Sequence, residues 1–444
     1  MAVAGGVLFS CTGGSSIPRV SDSPSLLDTR WPIKRVIYVM LENRSFNNIF
    51  GKFPGVIGTT KGVKFGEEVN LIRCPEWLPG DLPHDRAAYL NCYNDGKQDG
   101  FAGGIFGDPY AYSVFDEHQL PNYWSWAREY AISDRFFSSQ AGPSFPNHLY
   151  FIAGQAGGAI DNPENIETLP PPEGMDYAFK SWGCDAVGDD VFVFVKDEEG
   201  NLTKHDSCFT FETVPEQLSG ISVDWAYYAA VPGQVGYFWN ALNGVHDIFH
   251  DTDYFNAHSR PVDRLVPDIR AGKLPAVTWV TPQFQLSDHP PASSGLAHDW
   301  VTGIVNEVMK SDIWEHTAIF ITWDEWGGLY DPVEPPAVDE LGLGFRVPML
   351  TISPYIADRG LIDDEVGEFS TPLRFIADNW GLPYLTDRIA NAHDFSHVFD
   401  FTRKPRDPVV SPKLAPTFTD DPFTWVGDTY EGWLPGTVPV DRPW

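Results

Sequence analysis

Arg35-Val36-Ile37-Tyr38-Val39-Met40-Leu41-Glu42-Asn43-Arg44-Ser45-Phe46 is the stretch whose reading decides the fold. Apolar residues run without a break from Val36 to Leu41, and most are β-branched or aromatic. A run without alternation marks a strand covered on both faces, as in a parallel sheet between helices. Glu42 and Asn43 follow at once. In open α/β sheets ligands gather outside the carboxyl ends of the strands, so this pair of side-chain oxygens stands where a cation would be held. The competing reading makes Glu42 and Asn43 the cap of a helix begun by Ser45-Phe46.

The same grammar returns at Thr317-Ala318-Ile319-Phe320-Ile321-Thr322-Trp323-Asp324-Glu325-Trp326-Gly327-Gly328. A second buried strand ends in two acids, and a Gly-Gly then lets the backbone turn sharply. Adjacent carboxylates repel each other unless a cation neutralises them; the alternative is a solvated pair of loop acids. Hard oxygen donors such as Glu42, Asn43, Asp324 and Glu325 suit calcium, magnesium or manganese better than a thiophilic ion.

Between these strands, Gly142-Pro143-Ser144-Phe145-Pro146-Asn147-His148 reads as a tight turn entering a helix. At a helix start, free N–H groups and the positive dipole end favour a phosphate or an oxyanion. A metal beside Ser144 would help ionise its hydroxyl and make it a nucleophile. The plain alternative is an ordinary serine N-cap.

The rest of the 444-residue chain bounds these readings. Its size fits one large α/β domain with insertions or two domains. Acidic residues outnumber basic ones 61 to 30, and the formal charge of −31 repels nucleic acid and anionic surfaces. No apolar run reaches the roughly 18 residues of a spanning helix. Residues 1–30 read as a flexible tail, with Leu8-Phe9-Ser10-Cys11 resembling a shortened lipoprotein signal and Cys11 a possible lipid-anchor site. The other four cysteines fall as Cys74/Cys92 and Cys184/Cys208, read as two local disulfides of about 3 kcal/mol each in the chain-entropy model. An extracytoplasmic location, secreted or lipid-anchored, follows from that reading. Residues 121–131 read as a helix behind Pro121, 191–195 as a strand before a turn at 196–201, and about 298–310 as a helix. Weak periodicity over 155–262 reads as an inserted cap, and 391–444 as a wrapping segment. The core then comprises 31–154 and 263–390.

Four motifs, taken in order, carry a family resemblance: Glu-Asn-Arg-Ser-Phe at 42–46, Pro-Ser-Phe-Pro-Asn-His at 143–148, Asp-His-Pro-Pro at 288–291 and Asp-Glu-Trp-Gly-Gly at 324–328. Together they resemble the bacterial phosphoesterase family, which contains non-haemolytic-type phospholipases C and respiratory-burst-inhibiting acid phosphatases. Asp99-Gly100-Phe101 and Gly272-Lys273-Leu274-Pro275 also match, and the resemblance spans about residues 34 to 380. It implies an alkaline-phosphatase-like α/β fold with a mostly parallel central sheet, flanking helices and an inserted cap. It further implies hydrolysis of a phosphate ester or phospholipid head group through a phosphoserine on Ser144. Glu42, Asn43, Asp324 and Glu325 would hold one divalent metal ion, calcium, magnesium or manganese rather than zinc, which Ser144 also touches. His84 and His289 would line the phosphate site, one protonating the leaving alkoxide and the other binding phosphoryl oxygens, with Asp99 and His246 as weaker candidates for substrate contact.

The chain departs from the family pattern in three places. Asp331-Pro332-Val333 stands where many relatives read Asp-His-Val, and Glu368-Phe369-Ser370 where many read His-Thr-Ser. The extra C-terminal domains of long phospholipases C have no counterpart. Two other classes compete: another hydrolase of the same superfamily, and a non-catalytic surface binding protein that keeps the fold. A sulfatase is disfavoured, because Ser144-Phe145-Pro146-Asn147-His148 lacks the arginine of C/S-x-P-x-R.

Overall fold

The computed structural model describes residues 29–101, 107–170, 179–197 and 200–411. The tail with Cys11 and the chain beyond Ser411 lie outside the described residues. Eight strands form the main sheet: β1 (Arg35–Leu41), β2 (Ala131–Ser133), β3 (Trp225–Ala229), β4 (Ser259–Pro261), β5 (Val277–Val280), β6 (Thr317–Trp323), β7 (Met349–Ile352) and β8 (Leu361–Asp363). Their spatial order is β4-β3-β5-β1-β6-β7-β2-β8. Every pairing is parallel except the two made by β7. The α/β class and the mostly parallel sheet are those expected.

The first strand holds the centre. β1 lies between β5 and β6, and its register sets Leu41 beside Trp323. Both strands end at that pair, so the next residues, Glu42 and Asp324, emerge side by side. Tyr38 and Leu41 are three residues apart and face opposite sides of the sheet. On one side the Tyr38 ring meets Phe151 of α3 (Ser144–Ala153) at 4.3 Å. On the other, Trp323 meets Tyr123 of α2 (Pro121–Glu129) at 5.6 Å. Layers of helix thus cover both faces, which is why β1 and β6 read as apolar runs without alternation.

Helix ends follow local signals. α1 (Phe46–Phe50) is capped by Ser45, whose hydroxyl accepts the Asn48 N–H at 3.1 Å, so Glu42 and Asn43 are not its cap. α4 (Ser294–Met309) starts four residues before the expected His298, because Ser293 caps it by accepting the Leu296 N–H at 3.1 Å. A later helix, α5 (Ser370–Trp380), packs against α3.

Two features differ from the sequence reading. Within 155–262, β3 and β4 are strands of the main sheet, so the sheet draws on the stretch read as a cap. Their weak periodicity reflects burial of all five residues of β3 and the shortness of β4. The hairpin expected near 191–201 is present, as Val193–Lys196 paired with Leu202–His205. Of the two expected disulfides, only Cys184–Cys208 forms; Cys74 and Cys92 are free, buried thiols. Cys74 faces Asn48 and Ser113, whereas Cys92 lies on the Arg86–Tyr93 helix, and folding holds the two in separate environments. Burial raises both thiols, Cys92 to about 12, leaving them unreactive.

Candidate active site

The ends of β1 and β6 are welded together by their own backbone. Asp324 Oδ1 accepts the N–H of Asn43 at 2.9 Å and that of Glu325 at 2.8 Å, while the Asp324 N–H donates to the Leu41 carbonyl at 2.9 Å. Asn43 takes a left-handed φ of 60°, which asparagine tolerates better than most residues. Gly327, at φ 61°, packs so closely that a Cβ there would sit 2.5 Å from the Asn43 carbonyl oxygen. Its N–H holds Glu325 Oε2 at 2.8 Å. The Gly-Gly after the acids is therefore required by a close approach as well as by the turn.

Ser144 opens α3 behind Pro143, the capping residue, which has no side chain to cap with. The serine is thus not an N-cap, and its hydroxyl stands close enough to the Glu42 carboxyl to pull that group's pKa down a little. Asn147 fixes the entering turn: its Oδ1 accepts the Gln140 N–H at 3.0 Å, and its Nδ2 donates to the carbonyls of Gly142 at 3.1 Å and Pro143 at 3.0 Å. One turn beyond Ser144, on the same helix face, His148 brings Nε2 to 2.9 Å from Glu42 Oε1 and 3.9 Å from Asp324 Oδ2. One donor atom from each of Glu42, His148 and Asp324 lies within 4.8 Å of the others.

All of these side chains are buried, which makes the charge balance acute. Burial, with Asp324 close by, pushes the Glu42 carboxyl well above its usual range. Glu325 is raised well above it too, first by burial, although His84 opposes the shift. Burial holds the His148 imidazole down at about 4. Glu42 Oε2, Asn43 Oδ1, Asp324 Oδ2 and Glu325 Oε1 are buried without a hydrogen-bond partner. Orphaned oxygens of this kind are rare in folded proteins, and a hard divalent cation is what such a donor set satisfies. The residues present fit that ion.

Across from the carboxylates stand the two expected histidines. His84 Nε2 lies 3.4 Å from Asn43 Nδ2, and its Nδ1–H donates to the Leu82 carbonyl at 2.7 Å. Burial alone would lower His84, but Glu325 and Asp81, with help from the Leu82 carbonyl and Asp324, lift it to about 9. His289 meets His84 edge to face at 5.7 Å and is lowered by burial, which outweighs the nearby Asp81. The two imidazoles of the pocket are thus shifted in opposite directions, His84 up and His289 down. The Trp239 and Phe284 rings pack at a tilt against His289, at 5.6 and 5.4 Å. The loop carrying His289 is pinned by a buried ion pair, Arg44 Nε to Asp288 Oδ1 at 3.1 Å, and by the Trp323 indole donating to Asp288 Oδ2 at 3.0 Å.

Asp99 and His246 stand apart from this cluster. Asp99 accepts from Asn94 Nδ2 at 2.6 Å within its own turn, and His246 pairs with Asp247 at 2.9 Å while half exposed. The two departures from the family pattern serve the scaffold. Asp331 pairs with Arg346 at 2.8 Å and accepts the Asn47 N–H at 3.0 Å. Glu368 accepts from the Ser139 hydroxyl and the Ser370 N–H, and lies 3.3 Å from Arg388. His148 was missed by the sequence reading, although its spacing of four from Ser144 was the available signal.

A family model described as Phosphoesterase family matches residues 33–383. The hemolytic phospholipase C of Pseudomonas aeruginosa is 24% identical in a match covering 86% of this chain and 58% of that protein. This chain thus spans little more than half of that relative's length. Phospholipase C B of Mycobacterium tuberculosis is 25% identical, with 84% of this chain and 78% of its own length covered. Among solved structures, a protein in the alkaline phosphatase superfamily from Vibrio parahaemolyticus superposes on 84% of this chain and 74% of its own, with a TM-score of 0.37 and 10% identity.

Proposed function

The chain belongs to the phosphoesterase family, and from that premise we propose that it hydrolyses phosphoric esters, phospholipid head groups among them, through a phosphoserine at Ser144. The observation that supports this best is the meeting of the Ser144 hydroxyl with Glu42 in a cluster that also holds His148 and Asp324.

Glu42, Asn43, Asp324 and Glu325 would hold the divalent ion, with Ser144 as a further ligand. Bound there, it would lower the pKa of the serine hydroxyl and neutralise charge on the phosphoryl group. The chain's own groups do the rest. The N-terminus of α3 turns its positive dipole end toward the bound phosphoryl oxygens, although the Phe145 N–H is taken by Asn162 Oδ1 at 2.9 Å and Pro146 has none to offer. Ser144 Oγ attacks phosphorus in line, forming the Ser–O–P bond as the bond to the leaving oxygen breaks. The proton that Ser144 gives up passes to His289 and on to His84, and His84 delivers a proton to that leaving oxygen. Water then attacks phosphorus from the vacated side and releases phosphate or a phosphorylated head group, returning the proton to Ser144. Trp239 and Phe284 give the ester's alcohol side an apolar wall.

The Cys184–Cys208 disulfide supports an extracytoplasmic location, and among the described residues no helix is long and apolar enough to cross a membrane. The deciding assay compares p-nitrophenyl phosphate with p-nitrophenylphosphorylcholine, each with and without calcium, magnesium or manganese. Metal-dependent release from either upholds the proposal, and the preferred ester separates phosphatase from phospholipase character. Release from neither leaves the fold as a binding scaffold.

A further inference from the structure

We propose that Asp363, His393 and His397 form a second metal site, built for a borderline divalent transition ion of the zinc class, at the far edge of the sheet. One donor atom from each of the three lies within 4.8 Å of the others. Asp363 is the last residue of β8, four strands away from β1. At about 4.8 Å per strand that separation is about 19 Å, so this cluster is independent of the one around Ser144.

The hydrogen bonding at Asp363 does not close without a cation. Both imidazoles aim Nε2 at the same oxygen, Oδ1, His397 from 3.0 Å and His393 from 3.5 Å. That oxygen already accepts the Glu365 N–H at 3.2 Å, and Oδ2 is taken by the Ser133 hydroxyl at 2.7 Å. His393, its side chain only 10% exposed, is left with Nε2 buried and without a hydrogen bond. A buried nitrogen in that condition costs free energy that a metal–nitrogen bond would recover. An ion among the three groups takes a lone pair from each imidazole and from the carboxylate. Ser133 then does what outer partners of metal ligands do, fixing the orientation of the carboxylate.

The segment carrying the histidines is held for the purpose. Between them Phe395 is buried to 1% exposure and stacks on Phe320 of β6 at 5.3 Å and 6°. It adopts a left-handed φ of 56°, uncommon for a bulky residue. This wedge turns His393 and His397 toward the same carboxylate. Two imidazoles and one carboxylate form a nitrogen-rich donor set that suits zinc, cobalt or nickel and not calcium or magnesium. His397 is 42% exposed, so the remaining coordination position opens to solvent for a water molecule. The bound ion would clasp the segment after α5 to the edge strand.

The test uses Asp324→Asn protein, in which binding at the Ser144 cluster is crippled. After removal of metal it should bind one equivalent of zinc at micromolar concentration by equilibrium dialysis, melt about a degree or more higher with zinc, and give a visible Co²⁺ spectrum with nitrogen ligation. Adding His397→Ala, at a half-exposed position, should abolish all three with the near-UV circular dichroism unchanged; His393→Gln should do the same. The proposal is overturned if Asp324→Asn protein takes up no zinc, or if both histidine variants bind it as their parent does.

Discussion

His148 Nε2 lies 2.9 Å from Glu42 Oε1, joining residues 106 apart in the chain inside a wholly buried cluster. Burial holds this imidazole down at about 4, and in the tautomer carrying Nε2–H it donates to the Glu42 carboxyl. His148 therefore positions Glu42 and is the partner that stops the carboxylate from swinging away from Ser144.

Replacing His148 with alanine should lower kcat about 10- to 100-fold and weaken the affinity for divalent ion by a similar factor, as loss of an orienting partner does elsewhere. His148→Gln, whose amide can still donate, should recover part of both. Steady-state kinetics over a metal titration separates this role from general loss of structure, which would spare neither variant.

Ser144→Ala should fold normally, since Ser144 makes no cap bond to its helix. Its turnover should fall by roughly 10³-fold or more, the scale expected when a covalent nucleophile is lost. Residual activity within about tenfold of the parent would remove Ser144 from the nucleophile's role.

Exhaustive chelation should abolish hydrolysis, and calcium, magnesium or manganese should restore it. The physical ground is the set of orphaned oxygens on Glu42, Asn43, Asp324 and Glu325. Full activity in protein shown by elemental analysis to be metal-free would exclude the ion from the chemistry.

Gly327→Ala places a methyl group 2.5 Å from the Asn43 carbonyl oxygen at a left-handed φ of 61°. Backbone has to shift, at a cost of about 1–3 kcal/mol. Because the atoms displaced belong to the cluster, activity should fall at least about tenfold, well beyond what lost stability explains at a temperature where the variant stays folded.

Asp161 offers a pH test of stability. Burial raises its carboxyl from 3.8 to about 6, partly countered by the Asn162 N–H. A folded-state value above the unfolded one means that stability is fully present below about pH 3.8 and is lost as pH rises through about 6. With solvent screening discounted, the loss by pH 8 should be about 1–2 kcal/mol. Asp161→Asn should be the more stable protein by that amount at pH 8 and match the parent near pH 4, as read from urea unfolding at the two pH values. Equal stability of parent and variant at pH 8 would show that Asp161 carries no such penalty.

Much of the architecture was legible in short stretches. The unbroken apolar run before Glu42, and the nearly continuous one before Asp324, announced strands covered on both faces, and Pro143 ahead of Ser144 announced the helix entry. Those signals are local, set by the few residues that make each element. The cysteines show where local reading fails: spacing treats Cys74/Cys92 and Cys184/Cys208 alike, yet only the second pair is bonded. Burial of all of β3 likewise erased the alternation that would have revealed it.

By itself the sequence determined which residues end strands and open helices, because backbone propensity and apolar patterning act over neighbouring positions. Only the tertiary structure decided that Leu41 pairs with Trp323, that His148 reaches Glu42, and that two histidines near the end of the described chain meet Asp363. Strand register and side-chain convergence are set by packing between residues hundreds of positions apart. No local pattern encodes which partner will be found there.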